Sequence, residues 1–171
     1  AERLRLSDSE KRWLEKHPRV KVAVLDKFVP LSFFNESGQF EGLSAEVLSR
    51  ISLRTGLKFE VVRDSSLLRQ IDQISSGQVE MLAVITPSVE RADKLRFTRP
   101  YLSNPYVLVV RADDDSVVTL EDLPRKRVAF IGGNSLAAQI AQDYPGIELV
   151  YVENPEQAME LVAKSSVDAT V

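Results

Sequence analysis

The segment Met81-Leu82-Ala83-Val84-Ile85-Thr86-Pro87-Ser88-Val89-Glu90-Arg91 concentrates the most suggestive chemistry of this chain. The apolar run from Met81 to Ile85 reads as a buried strand, and its carboxyl end releases Thr86, Ser88 and Arg91 in close succession. Ligands of open α/β sheets sit in the crevice outside the carboxyl ends of the strands. Two hydroxyls and a guanidinium at such a place suit an anionic group, most simply a carboxylate. The planar fork of Arg matches the two oxygens of a carboxylate, a fit that a Lys point charge lacks. The same residues also fit a plainer reading, with Arg91 solvated on the following helix and Ser88 only its cap. From this segment alone both readings stand.

A second strand-turn-helix junction lies at Ile131-Gly132-Gly133-Asn134-Ser135-Leu136-Ala137. Backbone N–H groups at such a helix start can hold an anion. The spacing also partly fits a dinucleotide fingerprint, with Glu153 near the place of a ribose-binding acid, but two of its three glycine positions are not glycine. Phe28, in Phe28-Val29-Pro30-Leu31-Ser32-Phe33-Phe34, is placed either to stack on a ligand or to pack beneath a hairpin; Phe33 and Phe34 read as core. The single His, His17, falls in a surface segment, and there is no Cys. A transition-metal site, a cysteine nucleophile and a Ser-His-Asp triad are therefore not expected. Neither a cofactor nor a catalytic residue is expected.

The elements that must carry these residues follow a βαβαβ pattern that occurs twice. In the first copy, Val20–Leu25 is a strand and Ser44–Thr55 a helix stopped by Gly56. Leu57–Val62 is the next strand, Ser66–Ser76 a helix with Gly77 after it, and Val79–Ile85 a closing strand. In the second, Arg127–Ile131, Ile147–Val152 and Val167–Val171 read as strands, with Ser135–Asp143 a helix. Asn154-Pro155-Glu156-Gln157 opens another helix with a cap, a first-turn proline and a Gln suited to a capping box. Such alternation predicts parallel sheets with crossover helices. Ser7-Asp8-Ser9-Glu10 is a capping box opening a helix that ends before Pro18. Tyr106–Val110 reads as a strand and Ala112–Ser116 as an acidic loop, so the expected organisation is a linker helix over 1–18, lobe one over 19–111 and a partial lobe two over 112–171. Clefts between such lobes favour small ligands.

Composition narrows the classes. With 171 residues and 44% apolar content the chain can bury a substantial core, and its formal charge of −3 makes no electrostatic case for nucleic acid. No apolar run reaches the 18 residues of a membrane span.

From Val20 to Val171 these residues resemble the bacterial extracellular solute-binding proteins of family 3, a periplasmic Venus-flytrap class. The resemblance rests on Val22-Ala23-Val24 leading to Phe28-Val29-Pro30-Leu31-Ser32-Phe33, then Gly38, Gly42-Leu43-Ser44-Ala45-Glu46-Val47 and Gly77-Gln78-Val79-Glu80. It continues through Thr86-Pro87-Ser88-Val89-Glu90-Arg91, Phe97-Thr98-Arg99-Pro100-Tyr101 and Leu120-Glu121-Asp122-Leu123. The opening helix, with Trp13-Leu14 and His17-Pro18, and Tyr101-Leu102-Ser103-Asn104-Pro105-Tyr106-Val107 are similar to the periplasmic sensor domains of BvgS-like hybrid sensor histidine kinases.

The resemblance implies an α/β, two-lobed type II flytrap, its second lobe incomplete in this chain. Arg91 would clamp a ligand carboxylate, with Ser88 and the backbone at Ile85 and Thr86 assisting, Phe28 flanking the ligand and Asn134 and Ser135 covering it. The family's usual small residue falls at Val84 here, and its common Phe at Leu31. The expected function is ligand sensing by lobe closure for a membrane-bound sensor histidine kinase in the periplasm, with a small carboxylate or amino acid as ligand. Contact with a membrane would come only through the rest of the full-length protein. The alternative is a receptor for an ABC amino-acid importer, and a more distant one is a dehydratase of prephenate-like acids or a lytic-transglycosylase-associated domain. An uncovered edge in lobe two also makes a homodimer an expectation.

Overall fold

The computed structural model describes residues 2–171, which divide into two compact units at the Ile85/Thr86 junction. Each unit has its own sheet.

The first unit opens with α1 (Asp8–Lys16), whose start is fixed by the predicted capping box. The Glu10 amide donates to Ser7 Oγ, and the Ser7 amide donates to the Glu10 carboxylate. None of its residues is buried, and the Trp13 and His17 rings stack with centroids 4.3 Å apart. β1 (Arg19–Leu25) follows, then a small antiparallel pair, β2 (Phe33–Phe34) with β3 (Phe40–Glu41). α2 (Leu43–Thr55) ends at Gly56, whose φ of +82° is the left-handed helix stop that glycine adopts without strain. β4 (Lys58–Asp64), α3 (Leu67–Ser75) and β5 (Met81–Leu82) complete the unit. The sheet order is β4-β1-β5, all parallel, with β1 central. Val20, Val22, Ala23, Val24 and Leu25 are all buried, as a central parallel strand requires. Val22 and Val24 pack with Leu48 of α2 and Ala83, lined by Phe34, Phe40, Ile51 and Phe59.

The second unit contains α4 (Val89–Ala92), β6 (Val109–Val110), a 3₁₀ turn at Leu120–Asp122 and β7 (Arg127–Ile131). α5 (Ala137–Asp143), β8 (Glu148–Val152), α6 (Pro155–Ala163) and β9 (Ala169–Thr170) follow. Its sheet runs β6-β9-β7-β8. The alternation of β7 divides two cores. Val128 and Phe130 pack with Leu123, Ala137, Ile140 and Ala169 on one face, while Ala129 joins Val152, Ala158, Val162 and Val167 on the other. At α6 the cap is as expected, Asn154 Oδ1 accepting from the Gln157 amide, but the Gln157 side chain accepts from Glu153, one residue before the cap.

Three expectations are corrected. The strand expected over Val79–Ile85 shrinks to Met81–Leu82, because β5 is an edge strand paired only with β1; Ala83 adds one further bond to Ala23, and the chain then leaves the ladder. The strand expected over Tyr106–Val110 shrinks to Val109–Val110 for a similar reason, with Tyr106 and Val107 exposed. The second sheet is also mixed: β6 lies at its edge antiparallel to β9, an arrangement that needs no crossover helix.

Candidate functional site

The strongest cluster lies inside the second unit, around Arg91. Ser88 is extended (φ −148°, ψ 160°) and caps the single turn α4, its hydroxyl oxygen accepting the Arg91 amide at 3.1 Å. That cap sets where the Arg91 side chain departs. Its Nη1 donates to the Thr86 carbonyl at 2.7 Å, and its Nη2 donates to the Gly133 carbonyl. The guanidinium is half-buried, and burial lowers its pKa from the usual value, opposed by weaker favourable interactions with Tyr106 and Glu90. Among the described residues Arg91 makes no ion pair, in contrast to Arg63, Arg69, Arg111 and Arg127. A cation held by neutral carbonyls in a partly desolvated place keeps strong attraction for an anion.

The Ile131–Asn134 turn supplies the other side of the cluster. The Asn134 amide closes it on the Ile131 carbonyl at 2.9 Å, with Gly133 at φ +86°, where a side chain would be strained. Asn134 Oδ1 then accepts the Leu136 amide at 2.8 Å, while its side-chain N–H groups have no hydrogen bond among the described residues. The hydroxyls of Ser135 and Thr86 are also without hydrogen bonds among the described residues, and Ser135 is half-buried beside Asn134. α5 begins only at Ala137 and has seven residues, so the expected helix start at Ser135 is an irregular turn.

Of the candidate residues, Thr86, Ser88 and Arg91 are therefore brought together, and the turn carrying Asn134 and Ser135 meets Arg91 through Gly133. Phe28 and Ile85 belong to the first unit, both half-buried. Phe28 sits in a tight loop in which its amide donates to the Ser32 carbonyl and the Ser32 amide donates back, each at 2.9 Å. That loop rests on α2, where the amides of Leu43 and Ser44 donate to the carbonyls of Pro30 and Leu31 at 3.1 and 3.0 Å.

Two groups escaped sequence reasoning. The Gly133 carbonyl is backbone and carries no side-chain signal. Asp26, at the carboxyl end of β1, accepts the amides of Lys27 and Phe34 and the guanidinium of Arg63, fixing the loop that carries Phe28. The only hint of that role was an acid directly following a buried strand.

No group of His, Asp or Glu side chains suited to a metal ion occurs among the described residues. No helix there is long and apolar enough to cross a membrane.

Residues 20–170 match the profile of the bacterial extracellular solute-binding proteins, family 3, a family of binding rather than catalytic domains. The chain is 36% identical over 165 residues to the virulence sensor protein BvgS of Bordetella pertussis, covering 96% of this chain. It is 30% identical over 168 residues to the sensor protein EvgS of Escherichia coli K12, covering 98% of this chain. It spans only 13% and 14% of the lengths of those two proteins. A probable amino-acid ABC transporter-binding protein of Haemophilus influenzae is 26% identical over 161 residues, covering 92% of this chain and 61% of that protein. The crystal structure of the B. pertussis BvgS periplasmic domain superposes with a TM-score of 0.88 at 36% identity, over 97% of this chain and 32% of that one. The fold is the Venus flytrap of periplasmic binding proteins, and the parts of the sensors that it matches are periplasmic.

Proposed function

Because the chain belongs to the bacterial extracellular solute-binding proteins, family 3, and matches sensor kinases over nearly all of its own length, we propose that it is a periplasmic sensing domain of an inner-membrane sensor histidine kinase. Its ligand is an amino acid or another small carboxylate. The observation that carries this reading is Arg91, a half-buried cation with no ion pair among the described residues, its fork met there by two neutral carbonyls. Thr86, Ser135 and the Asn134 side-chain amide add unused polar groups of the kind that orient such a ligand. Binding shifts a population between open and closed arrangements of the expected lobes, 19–111 and 112–171, and the sensor passes that shift on. The signalling and kinase activity belong to the whole protein.

A receptor feeding an ABC importer is the second reading, favoured by the Haemophilus relative. The two separate on the gene: a reading frame running into a membrane helix and kinase supports the first, and one ending beside permease genes supports the second.

The direct experiment is a thermal-shift screen against the twenty amino acids and small mono- and dicarboxylates. A ligand at one hundred times its Kd stabilises by about 2.7 kcal/mol, a readily measured shift in Tm. Stabilisation by carboxylates, lost on esterification, is the expected result. Stabilisation only by uncharged solutes overturns it.

A further inference from the structure

The two carbonyls on Arg91 set a condition for any ligand. The fork's terminal nitrogens each spend a donor on the protein's own backbone, Nη1 on Thr86 and Nη2 on Gly133. The Thr86 carbonyl is close in the chain, so its bond forms within one local segment. The Gly133 carbonyl comes from a turn forty-two residues away, held by the Asn134-to-Ile131 bond and by the Asn134 side chain on Leu136. That turn depends on the positive φ of Gly133, so the direction of its carbonyl is fixed by a residue with no side chain.

We propose that the Gly133 carbonyl is an internal competitor that occupies Arg91 until a carboxylate displaces it, and so sets the affinity threshold that a ligand must pass. This rests on Arg91 being the ligand clamp. The guanidinium's bond to a carbonyl is already charge-assisted, but a carboxylate adds the attraction of a full opposite charge and can take two N–H groups at once. A carboxylate therefore gains by the exchange, whereas a neutral amide replaces one carbonyl oxygen by another and gains nothing. The competitor reduces apparent affinity for every ligand by the fraction of molecules in which Arg91 is free. The factor is common to all ligands, so a carboxylate keeps measurable binding while a weakly held neutral ligand falls below the measurable range.

The experiment follows the Arg91 guanidinium by ¹⁵N NMR in the full chain, titrated with sodium acetate or acetamide at constant ionic strength. The parent protein is expected to respond to acetate and not to acetamide. Gly133→Val, which the positive φ disfavours, is expected to bind acetate at least threefold more tightly and to gain a response to acetamide. Unchanged or weaker acetate binding in Gly133→Val, with binding abolished in Arg91→Ala, overturns the competitor and leaves the clamp standing. Acetate binding that survives Arg91→Ala, read in that variant from the backbone amide shifts of Ser88 and Asn134, overturns the clamp itself. The through-hydrogen-bond scalar coupling between Arg91 Nη2 and the Gly133 carbonyl carbon needs no variant and decides the matter if Gly133→Val fails to fold. It is expected in the ligand-free protein and should vanish at saturating acetate; a coupling that persists at saturation overturns the proposal.

Discussion

Asp26 and Arg63 meet with both Nε and Nη2 of the guanidinium on a single carboxylate oxygen, Oδ2, at 2.9 and 2.8 Å. That leaves Oδ1 for the amides of Lys27 and Phe34, at 2.8 and 3.0 Å. The Arg63 guanidinium carbon lies 4.6 Å from the centroid of the Phe34 ring. One buried carboxylate thus ties the end of β1 to β4, to a left-handed residue (Lys27, φ +59°) and to the hairpin beyond Phe28.

Removing that carboxylate tests the anchor. Asp26→Ala leaves two amides without acceptors, and each such loss costs about 1 kcal/mol. The half-exposed Arg63 returns to water at little cost. A destabilisation of about 2 kcal/mol is expected in urea titration, with Asp26→Asn restoring part of it because its Oδ1 still accepts both amides.

The same group sets an acid limit. Burial pushes the Asp26 carboxyl up, but Arg63 and the two amides outweigh it and hold the group below its usual 3.8. A folded pKa below the unfolded one means that this stabilisation is present above about pH 4 and is lost as pH falls through the folded value. Asp64, held low chiefly by Arg69 against a smaller desolvation effect, behaves alike. Asp26→Asn should therefore flatten the loss of stability below pH 4 only in part, as urea midpoints measured from pH 6 downward would reveal. A full acid slope in that variant would remove Asp26 from the account.

Gly42 and Gly38 offer a controlled comparison. Both have positive φ, +108° and +75°, but a Cβ on Gly42 would lie 2.6 Å from the Leu31 carbonyl oxygen, whereas one on Gly38 meets nothing within 4 Å. Gly42→Ala is expected to cost about 2–4 kcal/mol, strain and overpacking together, against about 1 kcal/mol for Gly38→Ala. Equal costs by chemical denaturation would mean that the loop lifts from α2 without penalty.

These anchors mark where sequence reading ran out. Signals confined to one local stretch came through: the capping box at Ser7, the Asn154-Pro155 helix start, the stop at Gly56, and the apolar runs of β1, β7 and β8. Strand ends did not, because Val84, Ile85, Tyr106 and Val107 are as apolar as paired residues and only the position of neighbouring strands ends a ladder. The Ser88–Arg91 cluster was legible through its spacing, and the family resemblance through motifs in order. The Gly133 carbonyl was not, since sequence shows that a glycine turn is present but not which way its carbonyl faces. Nor was the role of Asp26 legible, because it depends on partners distant in the chain.

Gln70 on α3 is 1% exposed, and among the described residues neither its Nε2 nor its Oε1 has a partner. An unsatisfied buried amide costs about 1–3 kcal/mol, and Leu has a similar volume without the polar atoms. Gln70→Leu is expected to raise stability by about 1–2 kcal/mol without altering ligand affinity, since no candidate site residue lies on α3. A fall in the urea midpoint would mean that buried water already satisfies the amide.

Arg91 carries the last expectation, and its two replacements separate charge from geometry. Arg91→Ala removes the clamp and should weaken a carboxylate ligand by about 2–5 kcal/mol, as for truncating one partner of a buried charge pair. Arg91→Lys keeps the charge, but a single ammonium cannot reproduce the fork that reaches the Thr86 and Gly133 carbonyls together. It should recover only part of the lost affinity. The folded state should tolerate both changes, because the guanidinium's own desolvation offsets its bonds to the two carbonyls. Calorimetric titration of the best ligand from the screen, beside urea midpoints for the three proteins, checks both halves. Full affinity in Arg91→Lys would mean that the ligand needs only a positive charge there, and undiminished affinity in Arg91→Ala would remove Arg91 from the binding site.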